Sequence, residues 1–256
     1  MPWLIETIRA TVFAQDIKEL GLSDWQALTG TPPHQTQYSH EADSTVEAGP
    51  FMRHWLTMGL ARRPPLGLGR ADLILAISRP AEPFAVVPAG PLQEQIEPVA
   101  IGPFTTSFTP FVELAKRWLS TDTNVRGLAL ACTLWERTSN ADEALNIILR
   151  NVQSFKKEGD DKITNFLIQL NRPRASSVDQ AIWINRFAQW SARTIEIVLP
   201  TRNIMFRPPT FRYQRAQADL DISTADGAEI VGRQIPVHID ELANLLTEIA
   251  EKGDVR

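Results

Sequence analysis

One cysteine, Cys132, occurs in 256 residues, which excludes an internal disulfide and a zinc centre built on cysteine pairs, and makes a reducing compartment the natural home. Long apolar runs are also missing: the longest, Gly127 to Trp135, is far too short to cross a bilayer, so no membrane partner is expected. The opening MPWLIETIRATVF has no basic stretch ahead of its apolar residues, and Glu6 and Arg9 interrupt it, so it does not read as a secretory signal. No G-x-S-x-G elbow, Walker loop, H-E-x-x-H pair or kinase set is present. Gly67 and Gly69 lack the third glycine of a dinucleotide fingerprint, since Asp72 stands in its place and a strand-like run follows where a helix should open. No cofactor is implied.

What is there is enough apolar residue, 43% of the chain, to bury a substantial core. No Gly/Ser linker or charge block separates two halves, so residues 1–256 read as one cooperative unit, with 1–155 and 156–256 as the two lobes if the chain is divided. Charge is uneven. Residues 1–161 carry −5, 162–215 carry +7 and 216–256 carry −6, which marks the middle block either as an anionic-partner surface or as the pairing partner of the acidic end.

Periodicity predicts an α+β fold, mainly antiparallel sheet with three principal helices and two similar strand-plus-helix blocks. Strands are expected at Leu4–Phe13, at Phe51–Leu60 with Met52, Leu56, Met58 and Leu60 on one face, and at 71–78. A short helical stretch is expected near Leu22–Leu28, and a long polar loop at 29–49. Thr109 and Pro110 read as the N-cap and first residue of a helix whose stripe is Phe111, Leu114, Ala115, Trp118 and Leu119, supported by a Glu113–Arg117 pair. In strand 125–136, Leu128, Leu130, Cys132 and Leu134 share one face, so Cys132 reads as a small buried thiol. Asn140 with Glu143 then forms a capping box for a second helix. Further strands are expected at 166–170, 182–187, 194–199 and 211–222, before a closing helix from Asp240 to Lys252 with acids in its first turn and Gly253 as its stop.

Candidate chemistry is sparse. His34 and His40, with Glu41 and Asp43 nearby, match no standard zinc spacing. His54 reads as half-buried beside Met52 and Leu56, and His238 as a cap or surface group at the entry to the last helix. Asp219 and Asp221 project from one face of the strand ADLDIS, an arrangement that can bind a cation or do acid/base work, and that equally suits a solvated sheet face. The richest recognition candidates are Arg202, Arg207, Arg212 and Arg215, interleaved with Phe206, Phe211 and Tyr213. A second set consists of Arg172, Arg174, Arg186, Trp183 and Trp190. Arginine forks with aromatic faces suit phosphates and stacked bases, and they also anchor protein interfaces.

The order WLIETIRATVF, GRADLILAIS, FVELAKRWLS, VRGLALACTLWE, ADLDISTADG and HIDELANLLTEI resembles a sporadically distributed, uncharacterised bacterial protein family of similar length. The resemblance implies a bacterial, cytoplasmic protein and assigns no catalytic residue. With catalytic motifs absent, the expectation is a non-enzymatic binding or adaptor protein that acts through a protein partner in a defence, regulatory or neutralising assembly. The alternatives are nucleic-acid binding through residues 162–215 and a metal-dependent hydrolase.

Overall fold

The computed structural model describes residues 3–15, 17–40, 43–51, 53–61, 68–77, 100–152, 166–198 and 210–254. Its elements are β1 (Leu4–Ala14), α1 (Trp25–Thr29), β2 (Gln35–Ser39), β3 (Ser44–Phe51), β4 (His54–Ala61), β5 (Gly69–Ala76), β6 (Gly102–Pro103), α2 (Phe104–Trp118), β7 (Gly127–Thr138), α3 (Ala141–Asn151), β8 (Phe166–Asn171), β9 (Arg174–Ala175), β10 (Trp183–Val198), β11 (Thr210–Thr224) and α4 (Ile235–Lys252). The fold is α+β. One antiparallel sheet runs in the order β2-β3-β4-β5-β1-β7-β11-β10-β8, with β6 beside β1 and β9 beside β10. Apolar residues at alternate strand positions and the stripes of α2, α3 and α4 form one core on a single face of the sheet.

Several expected boundaries move, each for a packing reason. The loop expected at 29–49 contains β2 and most of β3, and the run expected as one strand at 51–60 turns back between Phe51 and His54, with Arg53 at φ 71°; Met52 lies outside the described residues. Helix α2 starts at Phe104 rather than Pro110, which stands inside it. Proline in a helix interior removes one backbone hydrogen bond. Here it lies on the exposed side, and the burial of Phe104 and Phe108, stacked at 4.8 Å, favours the extra turn. The expected Glu113–Arg117 pair is replaced by Lys116, which bonds Glu113 at 2.9 Å and also reaches Asp240. The strands expected at 182–187 and 194–199 are one strand, β10, because β11 pairs with it along its whole length. Helix α4 opens a turn early, at Ile235, so the expected acids fall beyond its first turn.

The chain repeats its architecture about a pseudo-two-fold axis between β1 and β7. Each half runs strand, helix, antiparallel strands, helix, and in each half the last long strand returns to pair with the first: β5 with β1, β11 with β7. The register obeys the same symmetry, since Thr11 opposes Ala129 as Thr133 opposes Thr7. When Phe104 of α2 is laid on Ile235 of α4, every buried residue of α2 falls on a buried residue of α4. The seam therefore lies between α2 and β7. A division at residue 155 would cut β7 and α3 away from β10 and β11, the strands against which α3 packs.

Two residues of α4 break the helix symmetry: His238 and Glu241 are buried, whereas their α2 counterparts, Ser107 and Pro110, are not. The cause is the long connection from β8 to β10. Its Ser176 and Ser177 fold onto α4, where Glu241 accepts hydrogen bonds from Ser176 Oγ (2.5 Å), Ser177 N (2.5 Å) and Ser177 Oγ (2.7 Å). Burial works against the charge on Glu241, yet these bonds, with His238 beside it, hold its carboxyl below the usual range. His238 is thus not a cap or surface group; it is 1% exposed, with neither ring nitrogen hydrogen-bonded among the described residues. Burial, opposed by Glu241 and Asp179, pushes its pKa below the ordinary 6.5. Both shifts mean that the unfolded chain takes up protons first, so stability falls as pH drops below about 6.5, and again below about 4.5. Thermal melts between pH 7.5 and 5.5 are expected to show this loss, and His238→Leu to flatten much of the slope, with half-buried His54, also lowered by burial, supplying the remainder. An unchanged slope in His238→Leu would show that His238 does not carry the effect.

Candidate functional site

All described helices pack on one face of the sheet, and the other face carries the polar alternation. At its centre β7 presents Gly127, Ala129, Ala131 and Thr133 to the open side, with Leu128, Leu130, Cys132 and Leu134 turned to the helices. Strand side chains alternate between faces, so this run of small residues makes a floor between the taller side chains of β1 and β11. Cys132 is buried, and burial, with Asp219 nearby, pushes its thiol well up. It is a packing residue.

Across the floor runs the row Ile74, Arg9, Ala131, Asp221 and Phe187, one residue from each of five neighbouring strands. Two strand spacings separate β1 from β11, about 10 Å. A long basic side chain crossing a small residue spans that gap to a carboxylate, and Arg9 Nη2 meets Asp221 Oδ2 at 3.1 Å over Ala131. Both side chains keep 35% exposure, and the cleft they line, of about 440 Å³, opens to solvent. Burial pushes the Asp221 carboxyl up, against the pull of Arg9 and Arg70.

Two matching brackets flank this pair. In the first half, Thr11 donates to Asp72 at 2.6 Å while Arg70, two residues earlier on the same strand, donates to the same carboxylate at 2.7 and 2.9 Å. In the second half, Thr133 donates to Asp219 at 3.0 Å and Gln217, again two residues earlier, donates at 2.9 and 2.7 Å. These brackets are symmetry mates, written in the sequence as Arg70-Ala-Asp72-Leu73 and Gln217-Ala-Asp219-Leu220. That repeated tetrad was the available signal for Arg70, Asp72, Thr11 and Thr133. Arg9 had none, because its partner lies 212 residues away. The arrangement fixes two carboxylates in hydrogen-bonded frames and leaves the ion pair between them open for exchange.

The expected arginine and aromatic groups do not converge. Arg172, Arg174 and Arg186 meet near the C-terminal end of α4, where Arg172 pairs with Asp254 at 2.5 Å. Burial there lowers the Arg186 guanidinium's pKa, with Glu248 and Asp254 opposing and Arg174 and Arg172 adding to the shift. Arg212 lies opposite Glu196, ten residues further along β10 than Arg186, or roughly 33 Å; it donates to Glu196 at 2.9 Å. Arg215 is only 8% exposed and holds Glu6 at 2.9 Å, while Tyr213 packs between Trp135 and Arg137. Trp190 is a core residue at 0% exposure, 6.0 Å from Trp3 between ring centres. Sequence spacing shows alternation but not which face is covered, and here the helices cover the face that carries Trp190. Phe211 belongs to β11; Arg202, Phe206 and Arg207 lie outside the described residues.

The histidine cluster also separates. His34 and His40 stand at opposite ends of extended β2, about 20 Å apart at strand rise; His34 packs edge-on to Trp55 and His40 to Tyr38. Glu41 lies outside the described residues. Among the described residues no three His, Cys, Asp or Glu side chains form a group able to hold a metal ion, and no helix is long and apolar enough to cross a membrane. Compared with protein-family models, curated proteins and solved structures, the chain matches none.

Proposed function

We propose that the protein is a non-enzymatic binding or adaptor module that receives a protein partner on the helix-free face of its sheet, within a bacterial cytoplasmic assembly of a defence, regulatory or neutralising kind. The observation that supports this is the central trough, in which a half-buried ion pair, Arg9–Asp221, lies in an open cleft between half-buried Ile74 and Phe187 over a floor of small residues. Arginine and phenylalanine, the types that Arg9 and Phe187 supply here, are enriched at protein interfaces. An ion pair of this exposure contributes at most about 1 kcal/mol to the fold, so a partner can exchange its own charges for it at small cost. The pairing of Arg172, Arg212 and Arg215 with Asp254, Glu196 and Glu6 removes much of the support for nucleic acid.

Reversing the pair with Arg9→Asp and Asp221→Arg keeps an ion pair inside the molecule while inverting the charges a partner meets. Affinity capture from cells of the source organism, with nuclease and mass spectrometry, is expected to recover a protein partner with the natural chain and at least tenfold less of it with the reversed pair, at a Tm within about 3 °C. Equal recovery by both proteins, or nucleic acid in place of protein, overturns the reading.

A further inference from the structure

Among the described residues, the first half of the molecule leaves a pocket at the place that the second half covers with its own chain. In the second half the Ser176–Ser177 connection covers His238 and Glu241 of α4. In the first half the corresponding link, between Phe51 and His54, has two residues against the eleven between Asn171 and Trp183. What remains beside Ser107 and Pro110 is a pocket of about 210 Å³, walled by Phe51, Leu75, Ile101, Phe111 and Leu114. The contact made in the second half cannot be copied here, because the residue standing where Glu241 stands is Pro110, which offers no side-chain acceptor.

The lining specifies an occupant. An apolar cavity of about 150 Å³ is enough for benzene, so about 210 Å³ accommodates one ring and a short arm. Among the described residues, the polar groups of the lining are Thr106, Ser107, His54 and Arg117. No carboxylate is among them, and Arg117 has no ion-pair partner among the described residues. Arg117 is exposed beside the apolar slot, and a guanidinium suits a carboxylate, which it can hold with two parallel hydrogen bonds.

We propose that this pocket binds a monocyclic aromatic carboxylic acid, with the ring between Phe51, Leu75 and Phe111 and the carboxylate on Arg117. It is a second site, on the helix-covered face and separate from the trough.

Phenylacetate and its neutral isostere phenylacetamide are the probes, titrated against the full chain by ligand-observed NMR and calorimetry. Phenylacetate is expected to bind at least tenfold more tightly than the amide, and Arg117→Gln to abolish that ratio while leaving Tm unchanged. Ser107→Phe, which fills the pocket, is expected to remove binding of both probes, with His54→Phe as the second filling variant if Ser107→Phe folds poorly. The reversed Arg9/Asp221 pair should leave binding intact. Equal binding of acid and amide, a preserved ratio in Arg117→Gln, or undiminished binding in a folded filling variant overturns the proposal.

Discussion

Trp190→Ala is expected to lower stability by about 3–5 kcal/mol, the range for deleting a buried tryptophan, and to lower Tm by roughly 6–20 °C at this chain length. The indole is fully buried on the helix-facing side of β10 and meets Trp3 of the segment leading into β1. Its removal therefore opens a cavity where the two halves touch. The indole nitrogen has no hydrogen-bond partner among the described residues, so what is lost is packing, and Trp190→Phe should cost clearly less than Trp190→Ala. Denaturant melts of the three proteins check this order. A Trp190→Ala protein with unchanged stability and impaired partner capture would place the indole at the surface and contradict the packing described above.

The second large effect is expected at Gly253, the residue that ends α4. Its φ of 79° lies in the left-handed region, and a Cβ there would stand 2.2 Å from the carbonyl oxygen of Asn151 and 2.7 Å from that residue's backbone carbons. Backbone cannot swing aside as a flexible side chain does. Gly253→Ala must therefore part the end of α4 from the end of α3, weakening the Asp254 N–H bond to the Asn151 carbonyl (2.6 Å) and the Arg172–Asp254 pair. Left-handed strain and overpacking together amount to about 2–5 kcal/mol. Gly227, at φ 83° with nothing within 4 Å of its Cβ position, supplies the comparison: Gly227→Ala carries the backbone term alone, about 1–2 kcal/mol. Equal melting temperatures for the two variants would show that the α3–α4 contact is not tight.

How far the sequence could be read depended on the range of the interaction. Alternation placed Leu128, Leu130, Cys132 and Leu134 together on one face of their strand, and Asp219 with Asp221 on one face of theirs, because a strand's period is imposed by its own backbone. The Asn140–Glu143 cap was legible for the same reason: Asn140 accepts from Glu143 N, and Glu143 reaches back to Ser139, all within one turn. The start of α2 was misplaced because Pro110 is a strong local signal that burial of Phe104 and Phe108 overrides. The break between Phe51 and His54 was missed because Met52, Leu56, Met58 and Leu60 keep a strand's period of two across it.

Local periodicity thus determined by itself the α+β class, the principal strands and helices, and the shared face of Asp219 and Asp221. Tertiary structure alone decided which sheet face the helices cover, and with it that Trp190 belongs to the core and Arg9 to the open trough. It alone brought Arg9 to Asp221, sent the arginines to separate sites, and left a pocket beside Ser107 and Pro110 of α2 at the position that Ser176 and Ser177 cover on α4. Those outcomes depend on groups distant in sequence competing for the same buried surface, and such competition is resolved only when the whole sheet closes.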